Sequence, residues 1–501
     1  MEEMSRRSFL KAGTAATAAL AMHPADTLAK KANKKNAQKK VLKVLAVGVG
    51  GRGHSDINGV CKNGDKLYED VEIIGIADTD WKYAKGVLDE YKGYYPNVKL
   101  YHDYKTMYAE LLDQADAVIC ATADHTHAII CAEALAAGKH VYCEKPLTRT
   151  VYEARLLTKL AAKAGVATQM GNQGSSSEGT ATACAWLWNG EIGEVTRVEA
   201  FTDRPIWPQG LEHPAEVVDV PDTLNWKGFI GPAPMRDYNP IYTPWNFRGW
   251  WDFGTGALGD MACHNVHPVF EALKLKYPIK VQGTSTMLMS DSCPSAQRVK
   301  YTFPARENLP KVAMPEVDVY WYDGGFRPEL PENLTEACKF DSNGVIFYGS
   351  KDILVCDGWG DNPRLLSGRT PALTQNIRQV PDEDHHMDWV RACKEDASVR
   401  VPSKSDFSMA GPLNEMIVMG VLACRLQGLN QVFDWDGENM RFTNIPEGAT
   451  VRSCIKDGFF VENGHPTFDK RFTEPVDANA FAAELIKHTY RDGWALPEMP
   501  E

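Results

Sequence analysis

The sequence predicts a two-domain α/β protein, in which a parallel sheet covered by helices precedes a larger α+β domain with an open, mainly antiparallel sheet. Short, almost entirely apolar runs alternate with helical segments from residue 41 to about residue 170. This alternation is typical of a parallel sheet that is buried on both faces. The alternation stops beyond that point, and the chain of 501 residues is long enough for about two or three domains.

The individual elements follow from periodicity. Strands are predicted for the apolar runs at 41–47, 71–77, 116–122 and 140–144, and helical spacing covers 104–114 and 127–138. Further along, strand-like stretches at 279–289, 296–303 and 344–348 precede helical segments near 383–395 and 407–427. We therefore expect three parts, namely a signal and linker at 1–40, a first domain at 41–170 and a second domain at 171–501.

Composition and charge exclude several classes of protein. Hydrophobic residues make up 44% of the chain and charged residues 24%, which excludes a disordered, collagen-like or multi-span membrane protein. The net charge is −12 although the first 40 residues are basic, so the remaining chain is more acidic still. Such a chain lacks the positive electrostatic field that would attract a phosphate backbone, and we therefore expect no nucleic-acid partner.

The N-terminus carries a targeting pattern. The segment SRRSFLK at 5–11 precedes a mildly apolar run at 12–22 that is too short to span a membrane permanently. It resembles the twin-arginine export signal of bacteria, which implies export of the folded protein by the twin-arginine machinery to a periplasmic or other extracytoplasmic location. A Lys-rich linker follows at 30–40, and because no Cys precedes Cys61 we expect no stable membrane anchor.

A glycine-rich turn follows the first predicted strand directly. Glycines in such a turn permit a tight bend and the close approach of a pyrophosphate, and a carboxylate ending the next strand can accept ribose hydroxyls. This pattern predicts an N-terminal Rossmann dinucleotide-binding domain, and the carboxylate favours NAD over NADP, although an arginine in the turn leaves NADP open. A merely structural turn is the alternative. The residues concerned are Gly48, Gly50, Gly51, Arg52, Gly53 and Asp78.

Three further motifs point to one family. ATADHTH at 121–127 closes a strand, GKHVYCEKP at 138–146 follows one helix later, and GALGDMACH lies at 256–264. With these motifs the chain resembles the Gfo/Idh/MocA family of glucose–fructose oxidoreductase and inositol dehydrogenase, over essentially all of its length after the signal. The resemblance implies that Lys145 lies at the active site and that Asp260 and His264 form the family's Asp-x-x-x-His pair.

The chemistry of these residues agrees with that implication. Asp260 and His264 are four apart, so on a helix they share one face, where a carboxylate can orient the imidazole of a general base. Lys145 can hold the same hydroxyl and stabilise developing alkoxide charge. The alternative is that Asp260 caps a helix and His264 is a core histidine. We further expect these residues to border the cofactor: Thr122, Asp124, His125, His127, Glu144, Lys145 and Gln173.

The expected substrate site lies in the irregular, aromatic-rich segment 204–255 and beside it. Sugars offer C–H faces to aromatic rings and hydroxyls to charged groups, so we predict binding by Trp245, Arg248, Trp250 and His267. A hydrophobic cluster that pins a long loop is the alternative interpretation. Asp260, His264 and His267 share a face that could hold a metal, but we predict none. The twelve cysteines show no metal-ligand spacing, and those in apolar runs are expected to behave as small hydrophobic residues.

These observations predict an NAD-dependent oxidoreductase that acts on a secondary alcohol of a sugar or glycoside. Because no NAD pool is maintained outside the cytoplasm, we expect the cofactor to be tightly retained. A redox-neutral, NAD-dependent glycoside hydrolase and a non-catalytic sugar-binding protein remain the alternatives. The family resemblance further implies a homo-oligomer that associates through the open sheet of the second domain.

Overall fold

A computed structural model describes residues 41–332, 334, 338–340, 342–373 and 377–501 of the chain. The predicted signal and Lys-rich linker at 1–40 lie outside the described residues. Strands and helices are numbered below in chain order within the described ranges.

The first part of the chain forms a parallel sheet. Its strands and a small ribbon are β1 (Leu42–Val47), β2 (Lys62–Asn63), β3 (Lys66–Leu67), β4 (Val71–Ala77), β5 (Lys99–Tyr101), β6 (Ala117–Cys120), β7 (His140–Cys143) and β8 (Thr168–Met170). β2 and β3 pair only with each other, whereas the other strands lie in the order β5-β4-β1-β6-β7-β8 and all run parallel. The strand order reverses between β1 and β6, which is the place where doubly wound sheets open a ligand cleft.

Helices cover both faces of this sheet. They are α1 (Arg52–Cys61), α2 (Trp81–Tyr94), α3 (Tyr104–Leu111), α4 (Asp124–Ala136) and α5 (Val151–Ala164). Their ends follow local sequence signals, because Thr150 and Glu153 form a reciprocal capping box before α5 and Gly165 ends it in the left-handed conformation. The predicted Rossmann architecture is therefore confirmed. The division of the chain at residue 170 stays a prediction.

A second, mainly antiparallel sheet follows. Its strands are β9 (Val195–Phe201), β10 (Lys280–Ser285), β11 (Gln297–Phe303), β12 (Val317–Tyr322), β13 (Gly344–Gly349), β14 (Ile353–Asp357), β15 (Arg364–Leu365), β16 (Phe433–Asp436) and β17 (Arg441–Phe442). Within the described ranges they lie in the order β15-β14-β13-β9-β12-β11-β10-β16-β17, and only β9 and β12 pair in parallel. The predicted α+β second domain is thus confirmed. Two small ribbons pair β18 (Thr450–Val451) with β21 (Val476–Asp477) and β19 (Cys454–Glu462) with β20 (His465–Phe472).

The helices of this second part are α6 (Glu178–Trp188), α7 (Trp226–Ile230), α8 (Gly256–Asn265), α9 (His267–Ala272), α10 (His385–Lys394), α11 (Phe407–Arg425) and α12 (Ala478–Ile486). α11 is the one helix in the described part of the chain that is long and apolar enough to cross a membrane. Most of it is buried, however, and it packs on α5, α8 and β10. It is therefore the central core helix that joins the two sheets.

The cysteines are buried and unpaired throughout. All twelve are free thiols, and Cys120, Cys131 and Cys143 lie together in the core between β6, β7 and α4. This agrees with the expectation that thiols in apolar runs pack as small hydrophobic residues.

A buried ion pair connects α5 of the first sheet to α11. The Arg155 Nε and Nη2 atoms donate to the two carboxylate oxygens of Glu415 at 2.7 and 2.8 Å. The Glu415 side chain has no exposed surface, and that of Arg155 is 11% exposed. Since removing one partner leaves a charge buried without compensation, the pair makes the packing of α5 on α11 sensitive to single substitutions.

We predict that Glu415→Leu alone lowers the free energy of unfolding by about 3–5 kcal/mol, because Arg155 is left as an unpaired buried cation. The double variant Arg155→Met/Glu415→Leu should regain most of that loss, since an apolar pair fills the same space. Urea unfolding followed by tryptophan fluorescence measures both. A single variant as stable as the native protein would contradict the prediction.

Candidate active site

The glycine turn after β1 is built so tightly that side chains have no room. Gly48 has a φ of +75°, and a Cβ there would lie 2.7 Å from the carbonyl oxygen of Ala121. A Cβ on Gly53 would lie 2.0 Å from the carbonyl oxygen of Gly48. The turn therefore brings the start of α1 against the end of β6, at the point where the strand order reverses. Such a turn leaves its backbone open to a phosphate group.

Asp78, at the end of β4, is joined to this turn. Its Oδ2 atom accepts the backbone N–H groups of Val49 at 2.8 Å and Gly50 at 3.2 Å, and Oδ1 accepts that of Asp80 at 2.8 Å. Burial raises the pKa of this carboxyl, and the three N–H groups partly offset that rise. The carboxylate retains lone pairs beside the turn, which suits the two ribose hydroxyls of NAD and repels a 2′-phosphate.

An open cleft runs along these residues and ends at the irregular segment. Its lining includes Gly48, Gly50, Gly51, Arg52, Asp78, Thr122, Trp245 and Arg248. Protein atoms therefore leave the space above the turn free, and a dinucleotide fits the donor set of backbone N–H groups and one carboxylate. The exposed ring of Tyr83 lies against the glycine turn at the edge of the cleft, so close that a Cβ on Gly50 would lie 2.3 Å from it.

Arg52 and Glu144 form a second group of charges beside the turn. The Arg52 Nε atom lies 3.3 Å from a Glu144 oxygen and 3.2 Å from one of Asp56. The same Glu144 oxygen accepts the amide of Gln173 at 3.1 Å. Since two carboxylates already engage the guanidinium, Asp78 remains the charged group that a ribose would meet. This arrangement favours NAD over NADP.

Lys145 meets the second part of the chain through Asp260. The Lys145 Nζ atom donates to Asp260 Oδ1 at 2.6 Å, and Arg248 Nε donates to the same oxygen at 2.6 Å. Burial by itself would raise the pKa of Asp260, but the charges of Lys145 and Arg248 outweigh it and hold that pKa well below its usual value. The carboxylate is therefore ionised and positions two cations.

His264 lies one helical turn after Asp260 on α8 and is 7% exposed. Its Nδ1 atom has no hydrogen-bond partner among the residues that the structure describes. Burial, and secondly the charge of Lys145, lower the pKa of His264 well below 6.5, so the ring is neutral at pH 7. A neutral imidazole beside a lysine can accept a proton.

The sequence suggested that Asp260 orients the imidazole of His264, and the structure corrects this expectation. The hydrogen bonds found for the Asp260 side chain run to Lys145 and Arg248 and not to His264. Sharing a helix face brings the two side chains near each other, but the short carboxylate is taken by two cations from other parts of the chain. Asp260 therefore orients Lys145 rather than the imidazole.

Two of the histidines expected at the cofactor, His125 and His127, bind backbone carbonyl oxygens. The His125 Nε2 atom binds the carbonyl oxygens of Phe229 and Ile230 at 2.9 and 3.1 Å, and burial lowers the pKa of this ring to about 3. His127 bridges the carbonyls of Pro146 and Thr122 at 2.8 and 3.1 Å.

Both histidine rings are fully buried, so they brace the backbone behind the cleft. Asp124 is also buried, and its Oδ1 atom has no partner among the described residues.

The predicted substrate residues divide into two groups. Trp245 and Arg248 line the cleft, and Trp245 is 42% exposed. Trp250 has no exposed surface and packs against Tyr242 in a buried aromatic cluster. It therefore belongs to the hydrophobic cluster that holds the long loop in place. His267 is 1% exposed and is held between Asn172 and Glu271. The structure therefore does not bring these last two side chains to the cleft.

The possible metal-ligand residues lie in two separate groups of contacts. Among the described residues, Cys120, Cys131 and Cys143 form the group whose possible ligand atoms all lie within 4.8 Å of one another. Both ring nitrogens of His267 face Asn172 and Glu271 instead of Asp260.

Sequence reasoning missed two aromatic side chains near the site. Tyr83 lies against the glycine turn, and Trp359 packs edge-on to His264 with ring centroids 5.7 Å apart. Tyr83 is only five residues from Asp78, so its position on the first turn of α2 was a usable signal. Trp359 follows β14 in the second sheet, and no local pattern connects it with α8.

Comparison with family models gave three matches. A model described as "Oxidoreductase family, NAD-binding Rossmann fold" (GFO_IDH_MocA) matches residues 42–172, and one described as "Oxidoreductase family, C-terminal alpha/beta domain" (GFO_IDH_MocA_C2) matches residues 188–308. Together they match just over half of the chain. A twin-arginine translocation signal matches residues 3–23, in agreement with the targeting pattern.

Curated relatives match over shorter stretches. A glycosyl hydrolase family 109 protein of Shewanella baltica is 33% identical over 169 residues, which is 30% of this chain and 36% of the relative. An alpha-N-acetylgalactosaminidase of Shewanella oneidensis is 31% identical over the same shares. A Schizosaccharomyces pombe protein named as an uncharacterized oxidoreductase is 33% identical over 22% of this chain and 29% of its own length. The chain thus spans about a third of these relatives.

Solved structures share the fold at low sequence identity. The WlbA dehydrogenase of Bordetella pertussis, in complex with NADH and UDP-GlcNAcA, is 15% identical with a TM-score of 0.52, covering 79% of this chain and 99% of its own. The WlbA dehydrogenase of Chromobacterium violaceum, with the same two ligands, is 16% identical with a TM-score of 0.52, covering 80% and 97%.

We predict that Gly53→Ala weakens NAD binding by about tenfold or more, because its Cβ would press on the backbone of Gly48 and displace the turn. The matched control is Gly86→Ala in α2, where a Cβ meets nothing within 4 Å. It should leave NAD affinity unchanged. Isothermal titration with NAD of the proteins freed of bound nucleotide measures both, and unchanged affinity in Gly53→Ala would rule out this turn as the binding site.

Proposed function

Because this chain belongs to the Gfo/Idh/MocA family of NAD-binding oxidoreductases, we propose that it oxidises a secondary alcohol of a sugar or glycoside and keeps its NAD bound between turnovers. The proposed catalytic residues are Lys145, Asp260 and His264. The proposed substrate contacts are Trp245 and Arg248, at the end of the cleft nearest Asp260.

One contact supports this proposal above the others. The 2.6 Å ion pair of Lys145 and Asp260 brings the end of β7 onto the helix that carries His264. The side chains of Lys145 and Asp260 are 13% and 9% exposed, so little water competes for a bound hydroxyl. A cation and a neutral imidazole at one buried point suit the removal of a proton from an alcohol.

The residues divide the chemistry as follows. His264 accepts the hydroxyl proton, since its lowered pKa keeps it neutral at pH 7. Lys145 donates a hydrogen bond to the substrate oxygen and stabilises its growing negative charge. Asp260 holds Lys145 and Arg248 in place through one shared oxygen. NAD, when bound, supplies the ring carbon that accepts a hydride from the alcohol carbon.

Retention of the cofactor follows from the export route. The twin-arginine signal directs the protein to the periplasm or beyond, and no NAD pool is maintained there. A cofactor that dissociated after each turnover would be lost, so the reaction must restore its redox state on the protein. A second sugar can serve as the oxidant, or the net reaction can be redox-neutral.

We predict that the purified protein contains close to stoichiometric NAD(H) and turns over sugar without added cofactor. Mass spectrometry of the nucleotide released on denaturation measures the first point, and sugar conversion in NAD-free buffer the second. A protein that is purified empty, depends on added NAD and accumulates NADH would contradict retention while leaving the oxidoreductase assignment intact.

The redox-neutral glycoside hydrolase is the second candidate. It is favoured by the relatives named glycosyl hydrolase family 109 protein and alpha-N-acetylgalactosaminidase. The same proton transfer at His264 would begin a sequence that releases the aglycone. In the assay above, release of nitrophenol from an aryl glycoside with no net change in NADH favours the hydrolase, and an oxidised sugar product favours the oxidoreductase.

We predict that the acidic limb of kcat/KM lies below pH 6.5, because His264 stays neutral to lower pH than an ordinary histidine. Lys145→Met removes a positive charge that depresses the pKa of His264, so the acidic limb of the variant should move to higher pH. Its kcat should fall by about 100-fold.

Profiles of kcat and kcat/KM between about pH 4.5 and 8 measure both the position of the acidic limb and the fall in kcat. Identical limbs in the two proteins would exclude His264 as the base. An unchanged kcat in Lys145→Met would exclude Lys145 as a catalytic residue, whereas sugar binding without turnover in the native protein would support a non-catalytic sugar-binding protein. Association into a homo-oligomer remains part of the proposal, and light scattering tests it.

A further inference from the structure

Trp359 has an unusual backbone for a bulky residue. Its φ and ψ are 66° and 12°, in the left-handed region that non-glycine residues seldom adopt. Its side chain is nevertheless 50% exposed, so burial of the indole does not compensate for the strain. Strained residues of this kind persist where the surroundings hold them, and they cluster at ligand sites.

The surroundings hold Trp359 from three sides. Its backbone N–H donates to Asn265 Oδ1 at 3.1 Å, at the end of α8, and its carbonyl oxygen accepts the Thr180 hydroxyl at 3.3 Å. A Cβ on Gly174 would lie 2.6 Å from the Cβ of Trp359, so only glycine permits the close packing there. The indole is thus presented to solvent on a rigid base.

The indole also lies beside the proposed base. The ring centroids of Trp359 and His264 are 5.7 Å apart, and the planes are inclined at 70°. Gln173, whose amide contacts Glu144, immediately precedes Gly174. An exposed aromatic surface from the second sheet therefore borders the site. It lies about a hundred residues later in the chain than the loop that carries Trp245 and Arg248.

We propose that Trp359 is a stacking platform that selects a cyclic sugar over an acyclic alcohol. The C–H groups on one face of a pyranose ring are attracted to the electron-rich face of an indole. A ring seated there lies within one aromatic contact of His264, which accepts the hydroxyl proton. This inference rests on the proposed function, and it adds a specificity-determining residue that is not one of the proposed catalytic groups.

The test compares Trp359→Leu with the native NAD-loaded protein, using a panel of methyl hexopyranosides and the corresponding alditols. We expect KM for the accepted pyranoside to rise about tenfold with little change in kcat, and kinetics on the alditol to stay unchanged. NAD affinity should also be unchanged. The matched control is Phe459→Leu, an exposed aromatic in the β19–β20 ribbon, with native kinetics expected.

A second variant separates binding from folding. Trp359→Gly removes the indole but suits a positive φ, so its Tm should equal or exceed that of the native protein while pyranoside binding is lost. Saturation-transfer NMR measures binding without turnover. A stabilised Trp359→Gly variant with native sugar affinity would overturn the proposal that Trp359 is a stacking platform, and would leave the proposed function intact. Absence of sugar binding and turnover in the native protein would overturn the proposed function as well.

Discussion

The site depends on one carboxylate that receives two cations. Asp260 accepts Lys145 from the end of β7 and Arg248 from the irregular loop, while its own helix carries His264. The end of β7 therefore meets the loop and the helix that follow about a hundred residues later at a single oxygen. Since each charge is largely buried, loss of one partner would leave another uncompensated, and the same contact that positions the lysine also holds the loop against α8.

The cofactor cleft follows from the topology of the first sheet. The reversal of strand order between β1 and β6 separates the loops at their ends and leaves a gap there. The glycine turn lies on one side of this gap, and Asp78 is joined to its backbone. One edge of the sheet thus supplies both the N–H groups suited to phosphate and the carboxylate suited to ribose, with little need for long side chains.

The aromatic-rich loop has two functions in the structure. Most of its rings form a buried cluster that includes Trp226, Tyr242 and Trp250, and this cluster keeps a long segment without regular structure in place. Trp245 and Arg248 remain at the cleft because the cluster fixes the backbone on both sides of them. Beside His264, the strained backbone of Trp359 presents an exposed indole.

The sequence by itself determined the elements whose signals are local. The apolar runs, the glycine turn with Asp78, and the spacing of Asp260 and His264 were readable because a strand, a turn or a helix face involves only neighbouring residues. The tertiary structure alone decided that Asp260 pairs with Lys145 and Arg248, that His125, His127, Trp250 and His267 are buried, and that Trp359 reaches His264. The physical reason is that the partner of a side chain is chosen among residues brought close by packing, and periodicity along the chain carries no information about that choice.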